Sequence, residues 1–517
     1  MMPVPKRKHG SKYNSPNLPS HTPIIGLGCS SFSTFFNNNN NDDDSEKSSK
    51  SSQDTGNVSS SSLTNVNQSN AHEKVQKSNP IVQSWIQTIH YAIENGITLL
   101  DTAPWYGHGT SEVVIGYAME QYAFDNQKKD ESHSTTKANR TNITRNDLVI
   151  NTKVGRYDSN PKDQFDFTYE TTMNSVQRSI QRMKCHYIDV IQLHDPEFVP
   201  DISILMNETI PALIKCRDES KIVKAIGLTG YPLEVQYYIL EEVRKHDTLL
   251  GSSSSSSNDV GGNKFVFDQC LTYCHFNLHS QALFTKSVHN YDDTVTPQMK
   301  RRISHQRESS QSQNQSLQQQ LQQQLLLQQQ SFAQYCKHNK IPLMAAAPLS
   351  MGLLTHNEPP EWHPSLPSLQ KACKEAAMIA KKDHDDVDLP TLAILYALVN
   401  GDISCTLLGM ANKKQVDVAL KVVKRIVDGG DNVVYHMDDE SDDGNDVDVV
   451  DGDDNLGMKL NKKAQATLKK ILTNNEMNVL KILMDNVNGP FANVWSNGEY
   501  EWDGLLEAEK FWSSLSL

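Results

Sequence analysis

The chain has 517 residues, room for three average domains or for one large α/β barrel with insertions. Only 37% of its residues are hydrophobic, so part of it lies outside any packed core. The formal net charge is −13, but ten of the negative charges fall between His436 and Asp454; the remaining −3 excludes a general nucleic-acid-binding surface.

Residues 1–22 are polar and basic, lack the apolar stretch of a secretory signal, and read as a disordered lead. The Lys6-Arg7-Lys8 run is too short for nuclear import or nucleic-acid binding. The first apolar run, PIIGLGCSSF, holds Gly26 and Gly28, half of a dinucleotide fingerprint and weak without its third glycine. Residues 36–78, runs of Asn, Asp and Ser, read as a disordered insertion. GITLLDTA follows and leads into TAPWYG; a second insertion covers 125–146, where the Asn139 and Asn142 sequons are chance matches. The third run is DLVINTKVG, and the helix after it places Met173, Val176, Ile180 and Met183 on one face. YIDVIQLHD and VKAIGLTG are the fourth and fifth runs, with a helical PLEVQYYILEEVRKH and a Ser-rich insertion at 249–263 behind them. FDQCLTYCHF is the sixth, before a Gln-rich insertion at 287–330 in which Gln and Leu favour helix; the insertions are places where unknown proteins could bind. IPLMAAAPLS and ISCTLLGMA complete the set. An acidic disordered segment covers 428–460, and 461–517 forms a C-terminal helical extension that either closes over one rim of the site or covers the outer helices.

Eight short, nearly all-apolar runs alternating with amphipathic stretches predict a parallel (β/α)8 TIM barrel over residues 23–427. Eight cysteines without framework spacing imply a reducing compartment, and no run of 18 apolar residues suggests a membrane span; a cytoplasmic location is the expectation. The final Ser-Leu-Ser-Leu falls short of a peroxisomal signal. No metal is expected. Cys270, Cys274, His275 and His279 lack zinc spacing, and Cys274 and His275 would point to opposite faces of a strand. In the acidic segment, aligning Gly444 with a calcium loop puts Val450 where a bidentate Glu is required.

In a parallel barrel the carboxyl ends of the strands carry the chemistry. The second run ends at Asp101, the third at Lys153 and the fourth at His194, with Tyr106 on the loop beyond the second. Neighbouring strands bring these four to one side of the mouth. Such a set suits proton transfer coupled to hydride transfer: Lys153 favours the Tyr106 phenolate, Asp101 pairs with Lys153, and His194 orients the reacting oxygen. Taken singly, Asp101 could cap a helix and Lys153 could snorkel; three successive strand ends favour function.

DTAPWYG, NTKVG and QLHDPEF resemble the aldo-keto reductase superfamily, whose tetrad runs Asp, Tyr, Lys, His in this order. NETIPALIKCRDESKIVKAIGLTGYPLE, LTYCHFNL and AAAPLSMGLLTHNEPPEWHP are similar to its L-galactose dehydrogenase branch, which includes D-arabinose dehydrogenases. The resemblance implies oxidation of a cyclic aldose at C1 to its lactone with NAD, or alternatively NADP, as cofactor; L-galactose to L-galactono-1,4-lactone, of the ascorbate-biosynthesis type, is the leading substrate. It places Pro348, Leu349, Ser350, Gly352 and Leu353 against the cofactor's pyrophosphate and Gly409, Met410, Ala411, Asn412 and Gln415 at its adenosine end. Where the family often has Asn, this chain has Ala419. Thr229 and Tyr273 are candidates for the nicotinamide end, and Trp105 beside Tyr106, with His194, for the sugar; Tyr273 and Trp105 could equally be packing. Another aldose, such as D-arabinose or L-fucose, and a nucleotide-sensing partner subunit of the same fold are the alternative readings.

Overall fold

The computed structural model describes residues 4–8, 17–19, 21–33, 75–120, 143–158, 163–245, 266–288, 330–357, 363–382, 387–429, 460, 462–485 and 487–492. All eight predicted runs contribute a strand: β1 (Ile25–Gly28), β2 (Leu99–Asp101), β3 (Val149–Val154), β4 (Ile188–His194), β5 (Val223–Thr229), β6 (Gln269–Tyr273), β7 (Leu343–Ala346) and β8 (Cys405–Gly409). Every neighbouring pair is parallel, and β8 pairs with β1, closing the barrel.

Helices α1 (Pro80–Glu94), α2 (Thr110–Met119), α3 (Tyr169–Arg182), α4 (Leu233–Lys245), α5 (Phe332–His338), α6 (Pro367–Lys382), α7 (Leu389–Leu398) and α8 (Lys413–Gly429) accompany the strands. After β4 the helical segment contains two π turns, Leu205–Thr209 and Lys215–Glu219. Local chemistry sets these boundaries. Asn79 accepts from the Ile81 amide ahead of Pro80, and α1 then buries Val82, Trp85, Ile86, Ile89 and Ile93 at spacings of three and four. In α3 and at its C-cap, Val176 and Met183 are buried while Met173 and Ile180 pack partly buried against the same core.

Alternation along each strand divides the barrel. One set of side chains faces the helices; the other fills the interior, where Leu99, Val149, Leu271, Met344, Cys405 and Leu407 form a plug. Gly26 faces that plug: a Cβ there would come within 2.8 Å of Leu407 and Leu99, so this glycine serves packing.

Several sequence expectations need correction. Residues 1–22 are not wholly disordered, because Lys6–Lys8 pairs antiparallel with His21–Pro23 and Val4 is buried; a polar two-stranded ribbon needs no apolar periodicity. The five predicted insertions lie outside the described residues except at their margins, and those margins belong to the barrel. Val75, Arg145, Val288 and Leu460 are buried, and Ser287 bridges to Ser331. β6 ends at Tyr273, and Cys274 turns away with φ 61°, so Cys274 and His275 do not alternate on a strand. All four side chains weighed for zinc are buried in polar contacts of their own or the core, His275 on Thr272 and both His279 and Cys274 on Ser350.

The two amphipathic stretches of the C-terminal extension are α9 (Lys462–Ile471) and α10 (Asn474–Leu483), packed against α8 and α6 respectively. Arg425 of α8 forms two hydrogen bonds to Glu476, whose carboxylate also closes a capping box with Thr473. The extension thus covers outer helices, and its buried Phe491 also reaches His279 beyond β6. The Trp-rich residues 493–517 lie outside the described residues.

Candidate active site

The loop leaving β2 turns through Gly107, His108 and Gly109, all with positive φ. Glycine is required at the third: a Cβ on Gly109 would sit 2.6 Å from the buried Arg182 guanidinium, which pairs with Glu112. Ser111 N donates to Tyr106 O, and the Ser111 and Thr102 hydroxyls bond each other, fixing the loop that carries Tyr106.

Lys153 points into the mouth from β3 and is 1% exposed. Its Nζ donates to Asp101 Oδ1 at 2.6 Å, to Thr102 O at 2.8 Å and to Tyr106 OH at 3.2 Å. Gln192 Nε2 donates to Asp101 Oδ2 at 2.9 Å, so both carboxylate oxygens are engaged. The His194 ring stands perpendicular to that of Tyr106, with centroids 6.5 Å apart. The four predicted catalytic side chains are therefore together.

Burial opposes the Lys153 charge, but Asp101, then Tyr106, and the hydrogen bonds to both outweigh it and hold the pKa above the ordinary lysine value. Tyr106 differs from the expectation. Burial pushes its phenol up, the Lys153 cation pulls it down only in part, and Asp101 pushes it up again, leaving the pKa raised. Burial drives His194 down to about 3 despite Asp195 beside it, so the imidazole is neutral at physiological pH and can hydrogen-bond an oxygen without carrying charge. Chemically, the arrangement can take a proton onto Tyr106 while Lys153 compensates the phenolate and His194 orients the donor.

Trp105 lies at the rim, but the Arg156 guanidinium covers it at 4.2 Å and donates to Asp195 Oδ2 at 2.8 Å. A sugar would meet its remaining surface. Glu197, two residues further, is buried with its carboxyl raised to about 8 by burial and by Asp195.

The candidate cofactor residues divide. Thr229 is buried and pairs in register with His194, while Tyr273 keeps partial exposure beside Tyr231, ring centroids 5.3 Å apart. Pro348, Leu349 and Gly352 line the loop after β7, whose Ala347, Ser350 and Met351 adopt left-handed backbone at a cost of about 1 kcal/mol or more each. Ser350 turns its hydroxyl to His279. Leu353 and Met410 bury their side chains in the core, leaving only backbone for a ligand. Asn412 Oδ1 accepts from Gln415 N and Gln415 Oε1 from Ala411 N, so both side chains are occupied in starting α8.

Two features fit a flat, polar cofactor laid across the mouth. Gly28 and Gly409 pair at the β1/β8 rim, where a Cβ on exposed Gly409 would meet nothing nearer than 4.0 Å. At β6, Gln269 Nε2 is buried without a protein acceptor. Sequence reasoning missed Gln192, Gln269 and Asn151, although the period of two was the available signal: Gln192 shares a face with His194, and Asn151 with Lys153. It also missed Arg156 and Asp195, on the turns beyond β3 and β4.

The chain is similar to several known proteins. L-galactose dehydrogenase of Arabidopsis thaliana is 27% identical over 341 residues, covering 66% of this chain and 78% of the plant protein. D-arabinose 1-dehydrogenase of Saccharomyces cerevisiae is 26% identical over 312 residues, covering 60% and 67%. Among solved structures, the holo form of an aldo-keto reductase from Bacillus halodurans aligns with a TM-score of 0.44 at 16% identity, covering 81% of this chain and 91% of that one. The model of the Aldo/keto reductase family matches residues 70–252 and 305–428, more than half of the chain, and with an Asp, Tyr, Lys and His gathered at the mouth of its barrel the chain belongs to the aldo/keto reductase family.

Proposed function

We propose that this oxidoreductase oxidises an aldose at C1 to its lactone with NAD, L-galactose to L-galactono-1,4-lactone first among the candidates. The observation that carries the reading is Lys153 Nζ bonded at once to Asp101 and to the Tyr106 hydroxyl. Tyr106 accepts the proton of the anomeric hydroxyl, His194 holds that oxygen, and Lys153 stabilises the phenolate that receives the proton. When bound, the nicotinamide ring supplies the acceptor for the hydrogen and electron pair leaving C1. The similarity to a plant L-galactose dehydrogenase and a yeast D-arabinose 1-dehydrogenase supports a sugar substrate. NAD rather than NADP is supported by the lack of any Arg between Gly409 and Val423. Lys413 and Lys414 are exposed, and Lys413 Nζ lies 5.9 Å from the Tyr91 ring. Trp105 and His194 meet the sugar, and the insertions serve as accessory segments outside the chemistry.

Initial rates of NAD and NADP reduction with L-galactose, D-arabinose and L-fucose test this. The reading expects NAD with L-galactose to give the highest kcat/KM. No reduction with any aldose sinks it. If NADP wins and Lys413→Ala with Lys414→Ala reverses the preference, the NAD assignment is wrong.

A further inference from the structure

The loop after β7 carries three non-glycine residues in the left-handed region, Ala347 (φ 59°), Ser350 (φ 49°) and Met351 (φ 50°). Such backbone persists only where its surroundings over-determine it. Two buried histidines converge on Ser350. His363 Nδ1 accepts from Ser365 N, so its Nε2 carries the proton and donates to Ser350 O at 3.0 Å. His279 Nε2 meets Ser350 Oγ at 2.7 Å.

His279 is itself held from two directions. Its amide donates to Asn277 Oδ1, Asn277 Nδ2 donates to Cys274 O, and Cys274 N donates to Ala346 O at the end of β7. From the C-terminal extension, the fully buried Phe491 lies with its ring 6.0 Å from the imidazole. A segment outside the eightfold repeat thus leans on a side chain that grips the Ser350 hydroxyl, where the Cys274 thiol is the second partner.

We infer that His279 is a positioning residue for nicotinamide-cofactor binding: through Ser350 it holds residues 347–353 in the shape that meets the cofactor, and Phe491 holds His279. The inference rests on the proposed function and on the family resemblance, which lays the cofactor's pyrophosphate along residues 348–353. Without the His279 bond, the Ser350 hydroxyl keeps only the weak Cys274 thiol contact and the left-handed turn can relax, so binding must re-order the loop and affinity falls.

The test is the Kd of NADH and NADPH, read from nicotinamide fluorescence on the full-length chain, with thermal melts alongside. His279→Leu and Ser350→Ala should each weaken binding of the preferred cofactor by about tenfold, equivalent to roughly 1.4 kcal/mol. The double variant should be no weaker than the worse single, since both remove one interaction. His279→Gln, whose amide can reach the hydroxyl, should recover part of the loss, and Phe491→Ala should shift Kd in the same direction by less. With substrate, KM for the cofactor should rise more than kcat falls. If wild type binds and Ser350→Ala leaves Kd unchanged, or the variants lower only the melting temperature, the inference is overturned while the proposed function stands. Wild type that binds neither cofactor overturns both.

Discussion

Replacing Lys153 by Met removes the cation that faces Tyr106 OH at 3.2 Å while keeping most of the side-chain volume. At an effective dielectric of about 20, a unit charge at that distance stabilises a phenolate by roughly 5 kcal/mol, between about three and four pKa units. Tyr106 already sits above the ordinary tyrosine value because of burial, so little else offsets the loss. Oxidation needs the unprotonated phenol. The ascending limb of kcat/KM against pH should therefore move alkaline, and kcat/KM at pH 7 should fall by at least ~100-fold. The variant also strands buried Asp101, at a cost of roughly 3–5 kcal/mol of stability, so Lys153→Met with Asp101→Asn serves as the folded control. Steady-state rates from pH 6 to 10, with melts for each variant, measure both effects. A loss under about tenfold with an unmoved limb would refute the coupling of Lys153 to Tyr106.

Tyr106→Phe keeps the ring and removes the proton acceptor; turnover should fall at least ~100-fold with cofactor Kd nearly unchanged, and retained turnover in stopped assays would remove Tyr106 from the chemistry. Replacing residues 289–329 by a short linker should leave melting temperature and kcat close to wild type, because Ser287 and Ser331 are already bridged and loop closure costs little more for a long loop than for a short one; an unfolded product would show that the Gln-rich segment is packed structure. Acid should destabilise the fold well above the carboxylate range. His194, His275 and His279 are each lowered to about 3 by burial, so below about 6.5 the unfolded chain binds protons that the folded chain refuses, and stability falls with pH. Glu197, raised to about 8 by burial and Asp195, works oppositely and offsets roughly one histidine, leaving a net loss of about 3 kcal/mol between pH 6.5 and 5. Melts at constant ionic strength should show an apparent Tm several degrees lower at pH 5, with a smaller drop in His275→Gln; a flat profile contradicts buried neutral imidazoles.

The barrel was legible because eight runs buried on both faces are nearly all apolar and alternate with amphipathic stretches. Asp101, Lys153 and His194 stood out at those ends, and the short turn of DTAPWYG put Tyr106 within reach of them. The second polar layer was missed, although the period of two carried part of its signal. Gln192 and Gln269 sit inside runs where apolar neighbours dominate, and what makes them matter is the closing of the sheet, which faces them inward with Asp101 and Lys153. The Tyr106 pKa was misjudged for a related reason: the sequence names the cation beside the phenol, but how deeply both are buried is a property of the packed barrel. His279 meets Phe491 across more than two hundred residues through a ring contact, and Ser350 through a hydrogen bond, and no local pattern encodes either.

The central claim is that C1 of an aldose gives up its hydrogen to a nicotinamide while Tyr106 takes the hydroxyl proton. The direct measurement is turnover of L-galactose carrying deuterium at C1, with NAD in the pool and mass spectrometry of both products. The account predicts one deuterium in the reduced cofactor for each lactone formed, a slower single-turnover rate than with the protiated sugar, and loss of transfer in Tyr106→Phe. Deuterium retained in the sugar product, or transfer undiminished in Tyr106→Phe, would contradict it.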